Sequence, residues 1–170
     1  ETPIAPDETS DALEARLSEL GATLLVDTLA RLAHGPIEAT PQDESRVTYA
    51  ARLDRRDGEI DWTRPATEIH NQIRGLHPWP LAHARWRGKR LILRRSALWH
   101  PGTHGTLAPP EHPAPGTLHV EPQALFVATG SGLLELAELQ LEGKRPQTAR
   151  DFVNGARPLS GDRLTPVDVA

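Results

Sequence analysis

The residues of this chain best equipped for chemistry are cations crowded into one short stretch. Arg85, Arg87, Lys89, Arg90, Arg94 and Arg95 lie within it, and residues 63–100 hold 8 Lys and Arg against one acid, Glu68. Long cations on an exposed surface are what phosphate contacts require, in no fixed order. A solvated hairpin whose edges are blunted by charge has the same composition, so these residues alone leave both meanings open. Lys144 and Arg145 extend the pattern, while Arg52, Arg55 and Arg56 upstream either join it or offset Asp54 and Asp57. The net charge of −4 hides a split: residues 1–62 sum to −8 and residues 63–170 to +4. That asymmetry suggests an acidic, solvated arm joined to a domain with a polyanion-facing surface.

Other chemistry finds less support. His100, His104 and His112 share a segment with Glu111, and all are competent zinc donors. Their spacing fits no common site and nothing orients them, so no metal is expected and they read as surface histidines of a loop. Trp62, Trp79, Trp86 and Trp99 are potential base-stacking platforms. Trp62 and Trp79 read instead as anchors of a helix, and Trp86, among arginines, is the better stacking candidate. Cysteine is absent, which excludes disulfides and thiolate chemistry and suits a cytoplasmic protein. The Gly-x-Gly-x-x-Gly, P-loop and His-Glu-x-x-His patterns are missing. No apolar run is long enough to span a bilayer, and the acidic, proline-containing start is not a signal peptide. With no methionine and Glu1 in first place, the expectation is a piece of a longer protein.

The elements that must position these residues follow from periodicity. Leu13, Leu17 and Leu20 predict a first helix that Gly21 ends or kinks, and Leu25, Leu29 and Leu32 a second that stops at Gly35-Pro36. Residues 37–57 lack periodicity and read as a linker. Thr63 as cap, Pro65 in the first turn, and Ala66, Ile69 and Ile73 on one face predict a third helix. It ends before His77-Pro78-Trp79-Pro80, which a helix cannot traverse. Strands follow: 82–87, a turn at Gly88-Lys89, 90–98, then 117–120, 124–128 and 133–141. On the first of these Arg85 and Arg87 share a face, while Arg94 and Arg95 point oppositely. Thr148-Ala149-Arg150-Asp151 resembles a capping box opening a last short helix. The fold class is α+β: two leading helices and a linker, then a small helix-plus-β-barrel domain of the OB-like type.

Three stretches together resemble the methionyl-tRNA formyltransferase family: Pro41-Gln42-Asp43-Glu44-Ser45 with Thr48-Tyr49-Ala50, Asp57-Gly58-Glu59-Ile60-Asp61-Trp62, and Ile73-Arg74-Gly75-Leu76-His77-Pro78-Trp79-Pro80. Weaker matches lie at 127–132 and 143–164, so the resemblance runs in order along nearly the whole chain. It implies that residues 1–36 end a Rossmann-like catalytic domain, 37–57 form the linker, and 58–170 form an OB-like tRNA-binding domain. The family moves a formyl group from 10-formyltetrahydrofolate to the methionine amine of initiator tRNA. The Asn, His, Asp and Ser-Leu-Leu-Pro loop that do so in the family have no counterpart here, since Asn71 and Asn154 lie in other contexts. The resemblance therefore implies a chain that is silent by itself and holds no cofactor, the folate belonging to the missing domain. It also implies a cytoplasmic monomer with initiator tRNA and that missing N-terminal domain as partners, and no membrane. Arg52, Arg85, Arg87, Lys89, Arg90, Arg94, Arg95, Lys144 and Arg145 become the expected tRNA contacts, and Val47 and Tyr49 the linker's docking residues. Rivals are formyltransferases, dehydrogenases or hydrolases acting on small molecules such as formyltetrahydrofolate or amino-sugars, an oligonucleotide-binding module without an enzyme, and a docking domain.

Overall fold

The computed structural model describes residues 1–100 and 113–166. Helix α1 (Ser10–His34) comes first, followed by an extended segment with short 3-10 turns at Glu44–Arg46 and Arg56–Gly58. Helix α2 (Ala66–Gly75) leads into strands β1 (Ala82–Trp86), β2 (Lys89–Leu98), β3 (Leu118–Val120), β4 (Leu125–Ala128), β5 (Leu133–Leu141) and β6 (Gln147–Thr148). Helix α3 (Ala149–Ala156) and strand β7 (Leu164–Thr165) complete the order.

The strands form one antiparallel sheet in the order β3-β4-β5-β2-β1-β7, with β6 paired to β5. It curls into a half-barrel because alternate positions face inward. Leu91, Leu93, Leu118, Leu125, Val127, Leu134, Leu136 and Leu139 are buried against Ile69 and Ile73 of α2 and Phe152 of α3. Each such aliphatic side chain contributes about 2 kcal/mol when fully buried. Residues 161–165 span the open side, pairing with β1 through β7 and with Thr117 through Arg163. The mixed helix-and-sheet class expected from sequence is therefore present, as a helix-backed half-barrel.

Three local expectations need correction. The two leading helices are one, because α1 runs through Gly21. An interior glycine costs about 1 kcal/mol relative to alanine, too little to end a helix that has no proline or cap there. Helix α2 is capped at Pro65 rather than Thr63. Thr63 is held outside it by Asp61, whose carboxylate accepts from both the Thr63 amide and hydroxyl. Trp62 is a core anchor as expected, but Trp79 is 54% exposed and lies outside the core.

Helix α1 buries no residue, and Leu17, Leu20, Leu24, Leu25, Leu29 and Leu32 lie exposed along it. Among the described residues, the side-chain hydrogen bonds that tie it to the rest lie at its start. Arg74 of α2 donates to the Ala5 and Glu8 carbonyls, and Arg16 pairs with Glu8 at 2.7 Å. His70, buried on α2, meets Ser96 at 3.0 Å and the Pro6 carbonyl at 3.2 Å. The Ser10 hydroxyl donates to the His77 carbonyl, and the His77 ring contacts Asp11. Val47 and Tyr49 of the extended segment are exposed.

Candidate nucleic-acid interface

On β1 the inward residues are Ala82, Ala84 and Trp86, so strand alternation turns His83 and Arg85 to the other face. On β2 Leu91 and Leu93 point inward, which sends Arg90 and Ile92 outward. Arg85 and Arg90 are direct cross-strand partners. The turn between the strands is Arg87-Gly88, with φ of 48° and 75°, so Lys89 opens β2 rather than belonging to the turn. Two consecutive positive φ values are what a two-residue hairpin needs to match strand twist.

Arg87 therefore does not share the strand face of Arg85. Its guanidinium lies 4.4 Å from the Trp86 ring and donates to Asp162 at 2.9 Å. Trp86 is 4% exposed and packs on Phe152 with ring centroids 5.2 Å apart. That burial removes it as a base-stacking platform. The opposite facing expected of Arg94 and Arg95 on a regular strand is not found. Register shifts between Leu93/Arg95 and Arg95/Ser96 mark a bulge in β2, and a bulge re-aims neighbouring side chains. Both arginines reach Glu138, at 3.0 and 3.7 Å.

The β5–β6 turn lies beside the hairpin. The Glu142 amide donates to the Arg90 carbonyl at 2.9 Å, and the Arg90 amide donates to the Glu142 carboxylate at 3.3 Å. Lys144 and Arg145, which follow Glu142, are exposed. Lys89, Arg90, Lys144 and Arg145 thus gather at one end of the sheet although the sequence holds them apart. Arg52 stays exposed in the extended segment. Among the described residues no His, Asp or Glu cluster can hold a metal. Of the zinc candidates, His104, Glu111 and His112 lie outside those residues.

His83 was not singled out by its sequence context. It is 4% exposed, covered by the turn at Gly58, where an added Cβ would sit 2.7 Å from its Nδ1. Burial lowers its pKa and the Arg90 charge adds to this, against the Leu81 carbonyl and Glu59. Burial lowers the pKa of His119 as well. A base whose folded pKa lies below the unfolded value of 6.5 contributes stability that is present above that value and lost as pH falls through the folded one. The lowered carboxylates, Glu8, Asp11, Asp43 and Asp61, start from 3.8 to 4.5 and act at more acidic pH. Thermal melts should therefore show the wild type losing stability between about pH 7 and pH 5, and His83→Asn losing less. Equal losses in both would remove His83 from this account.

The geometry defines a class first: a helix-backed half-barrel carrying a basic hairpin, with no candidate metal cluster among the described residues. The profile of the formyl transferase C-terminal domain family matches residues 52–157, and the chain belongs to that family. It is similar to the methionyl-tRNA formyltransferase of Koribacter versatilis, 47% identical over 165 residues, with 96% of this chain and 50% of that protein covered. The methionyl-tRNA formyltransferase of Solibacter usitatus is 44% identical over 164 residues, with the same shares covered. The chain spans about half the length of these curated relatives. Among solved structures, a HypX variant from Aquifex aeolicus shares the fold with a TM-score of 0.64 at 13% identity, over 99% of this chain and 30% of that one. HypX in complex with tetrahydrofolic acid gives a TM-score of 0.53 at 13% identity, over 85% and 26%. No described helix is long and apolar enough to cross a membrane.

Proposed function

We propose that this chain is the tRNA-holding half of a methionyl-tRNA formyltransferase. Residues 58–170 bind and position initiator tRNA through the half-barrel, used in the OB-like manner. Residues 37–57 are the linker, with Arg52 as a further contact. Residues 1–36 end a Rossmann-like domain that supplies the catalytic Asn, His and Asp and binds 10-formyltetrahydrofolate. The whole acts in the cytoplasm as a monomer, and this chain by itself transfers no formyl group.

The observation that carries the reading is the meeting of Lys89, Arg90, Lys144 and Arg145 at one end of the sheet, in a family whose named relatives act on tRNA. The exposed leucines of α1 support a preceding domain, since a row of that kind calls for cover. The likeness to HypX is one of fold and favours no small-molecule substrate.

Fluorescence anisotropy with initiator and elongator tRNA over a salt series tests it. Affinity should fall steeply with salt, because each neutralised phosphate releases counterions. Lys144→Glu/Arg145→Glu should weaken binding about tenfold or more and reduce the log–log salt slope by about two. A preference for initiator tRNA would add selection to positioning. Absence of binding at low salt by a folded chain would overturn the reading and favour a small-molecule formyltransferase or a docking domain.

A further inference from the structure

The cations of the basic hairpin are not equivalent. Arg87 is paired with Asp162, and Arg94 and Arg95 share Glu138. Each of these has a carboxylate partner within the fold, Arg95 the loosest of them at 3.7 Å and 67% exposed. Arg85 and Arg90 differ, for among the described residues no carboxylate lies within 4.0 Å of either guanidinium. They stand directly opposite each other on β1 and β2, where like charges repel across about 5 Å between Cβ atoms.

Both also leave donors unmet. The Nε atoms of Arg85 and Arg90 are buried and find no hydrogen-bond partner. Arg85 donates once, from Nη1 to the Gly88 carbonyl at 3.2 Å. Arg90 Nη2 lies 3.1 Å from His83 Nδ1, and that same nitrogen lies 3.0 Å from the Leu81 carbonyl. One ring nitrogen cannot donate to Leu81 and accept from Arg90 at once, so Arg90 gains at most one side-chain acceptor there. A guanidinium carries five N–H donors in a rigid fork. Two such forks side by side, half-buried and short of acceptors, are a costly arrangement for the free protein.

We propose that Arg85 and Arg90, backed by His83, form a seat for one phosphate group of the nucleic-acid backbone. This rests on the tRNA reading and narrows it from a basic surface to a defined contact. A phosphate offers several acceptor oxygens and a full negative charge, matching paired guanidinium forks in geometry and sign. It offsets the repulsion between the two arginines and offers acceptor oxygens to their remaining Nη donors. His83 is suited to the back of the seat because its lowered pKa keeps it from adding a third charge against the arginines. Lys89 and the neighbouring Lys144 and Arg145 then act as diffuse cations that draw the strand in.

The test uses the 170-residue chain and two readouts. The first is tRNA anisotropy over a salt series for wild type, Arg85→Gln/Arg90→Gln and Arg90→Lys. The glutamine pair should weaken binding about tenfold and lower the salt slope by about one, as loss of one phosphate contact requires. Arg90→Lys should keep the slope and lose part of the affinity, since it retains charge but not the fork. It also serves if the glutamine pair does not fold. The second readout is the NMR Nε–H signals of Arg85 and Arg90 during titration with inorganic phosphate at constant ionic strength. Saturable shifts in those two signals, absent with chloride, support the seat. If wild type binds tRNA and neither substitution changes affinity or slope, the seat is overturned while the tRNA reading stands. Failure of wild type to bind tRNA, with saturable phosphate shifts, keeps an anion seat for free phosphate and overturns the nucleic-acid reading. Failure of both removes the two together.

Discussion

Gly130→Ala should unfold the domain at markedly lower denaturant than wild type, with a loss of about 3 kcal/mol or more. A Cβ built on Gly130 falls 1.7 Å from the Thr63 carbonyl oxygen and 2.5 Å from its carbon. Both are backbone atoms, so no rotamer change relieves the overlap. The contact matters because the turn Thr129-Gly130-Ser131-Gly132 takes the place of a side-chain cap for α2. The Gly130 amide donates to the Arg64 carbonyl at 3.0 Å, and the Ser131 carbonyl accepts from the Ala66 amide at 3.0 Å. Ala66 opens α2, and the first amides of a helix have no partner within it. Displacing the turn leaves that amide unmet and shifts Ile69 and Ile73 from the sheet. Gly155→Ala in α3 is the control: nothing lies within 4 Å of its added Cβ, so its midpoint should stay or rise. Equal midpoints for the two variants would mean that the turn does not press on α2.

The fate of particular residues shows what one sequence could and could not reveal. The strands were legible because apolar alternation and turn residues are local signals. Predicted 133–141 matches Leu133–Leu141 of β5, and the capping box at Thr148 is realised, its hydroxyl accepting from the Asp151 amide at 3.2 Å. Short β6 and β7 left no such signal, since two residues carry no period and their place comes from partners far along the chain. The basic site was legible as composition but not as geometry. The bulge that brings Arg94 and Arg95 onto Glu138 depends on register with β5, and the Arg87-Gly88 turn depends on strand twist. His83 had no motif to betray it; its burial is made by a turn at Gly58 some 25 positions upstream in sequence. Gly21 does not divide α1 because a propensity penalty of about 1 kcal/mol is too small to stop a helix. The family motifs survive in physical terms: Asp57-Gly58-Glu59 supplies that turn, and Ile73 and Trp62 supply core.

Asp162→Ala should cost about 3 kcal/mol and open the sheet at its closing edge. The Asp162 carboxylate accepts from Trp86 Nε1 at 3.1 Å, Arg87 Nη2 at 2.9 Å and the Leu159 amide at 3.2 Å. Its backbone carbonyl accepts from the Leu118 amide at 2.8 Å. One residue therefore ties the hairpin turn, β3 and the C-terminal segment together. Removing the carboxylate leaves a buried indole N–H without a partner, worth about 1–3 kcal/mol, and a partly exposed arginine without its counter-ion, worth about 1 kcal/mol or less. Asp162→Asn keeps an acceptor oxygen but no charge, so it should lose about half as much. A double-mutant cycle with Arg87→Ala should give a coupling of about 1 kcal/mol, because the pair is partly exposed and solvent screens it. The damage should also be local. Amide exchange at Gly161 and Leu164, which bond Leu118 and Gly116 across the closure, should quicken far more than at Leu136 and Leu139 in the core. That contrast separates a latch from a general stabiliser: uniform acceleration at all four amides would mean that Asp162 holds the whole domain and closes nothing in particular. Because Arg87 is consumed in this latch, Arg87→Ala should shift stability more than tRNA affinity, opposite to Arg90, which stands only three residues further along the chain.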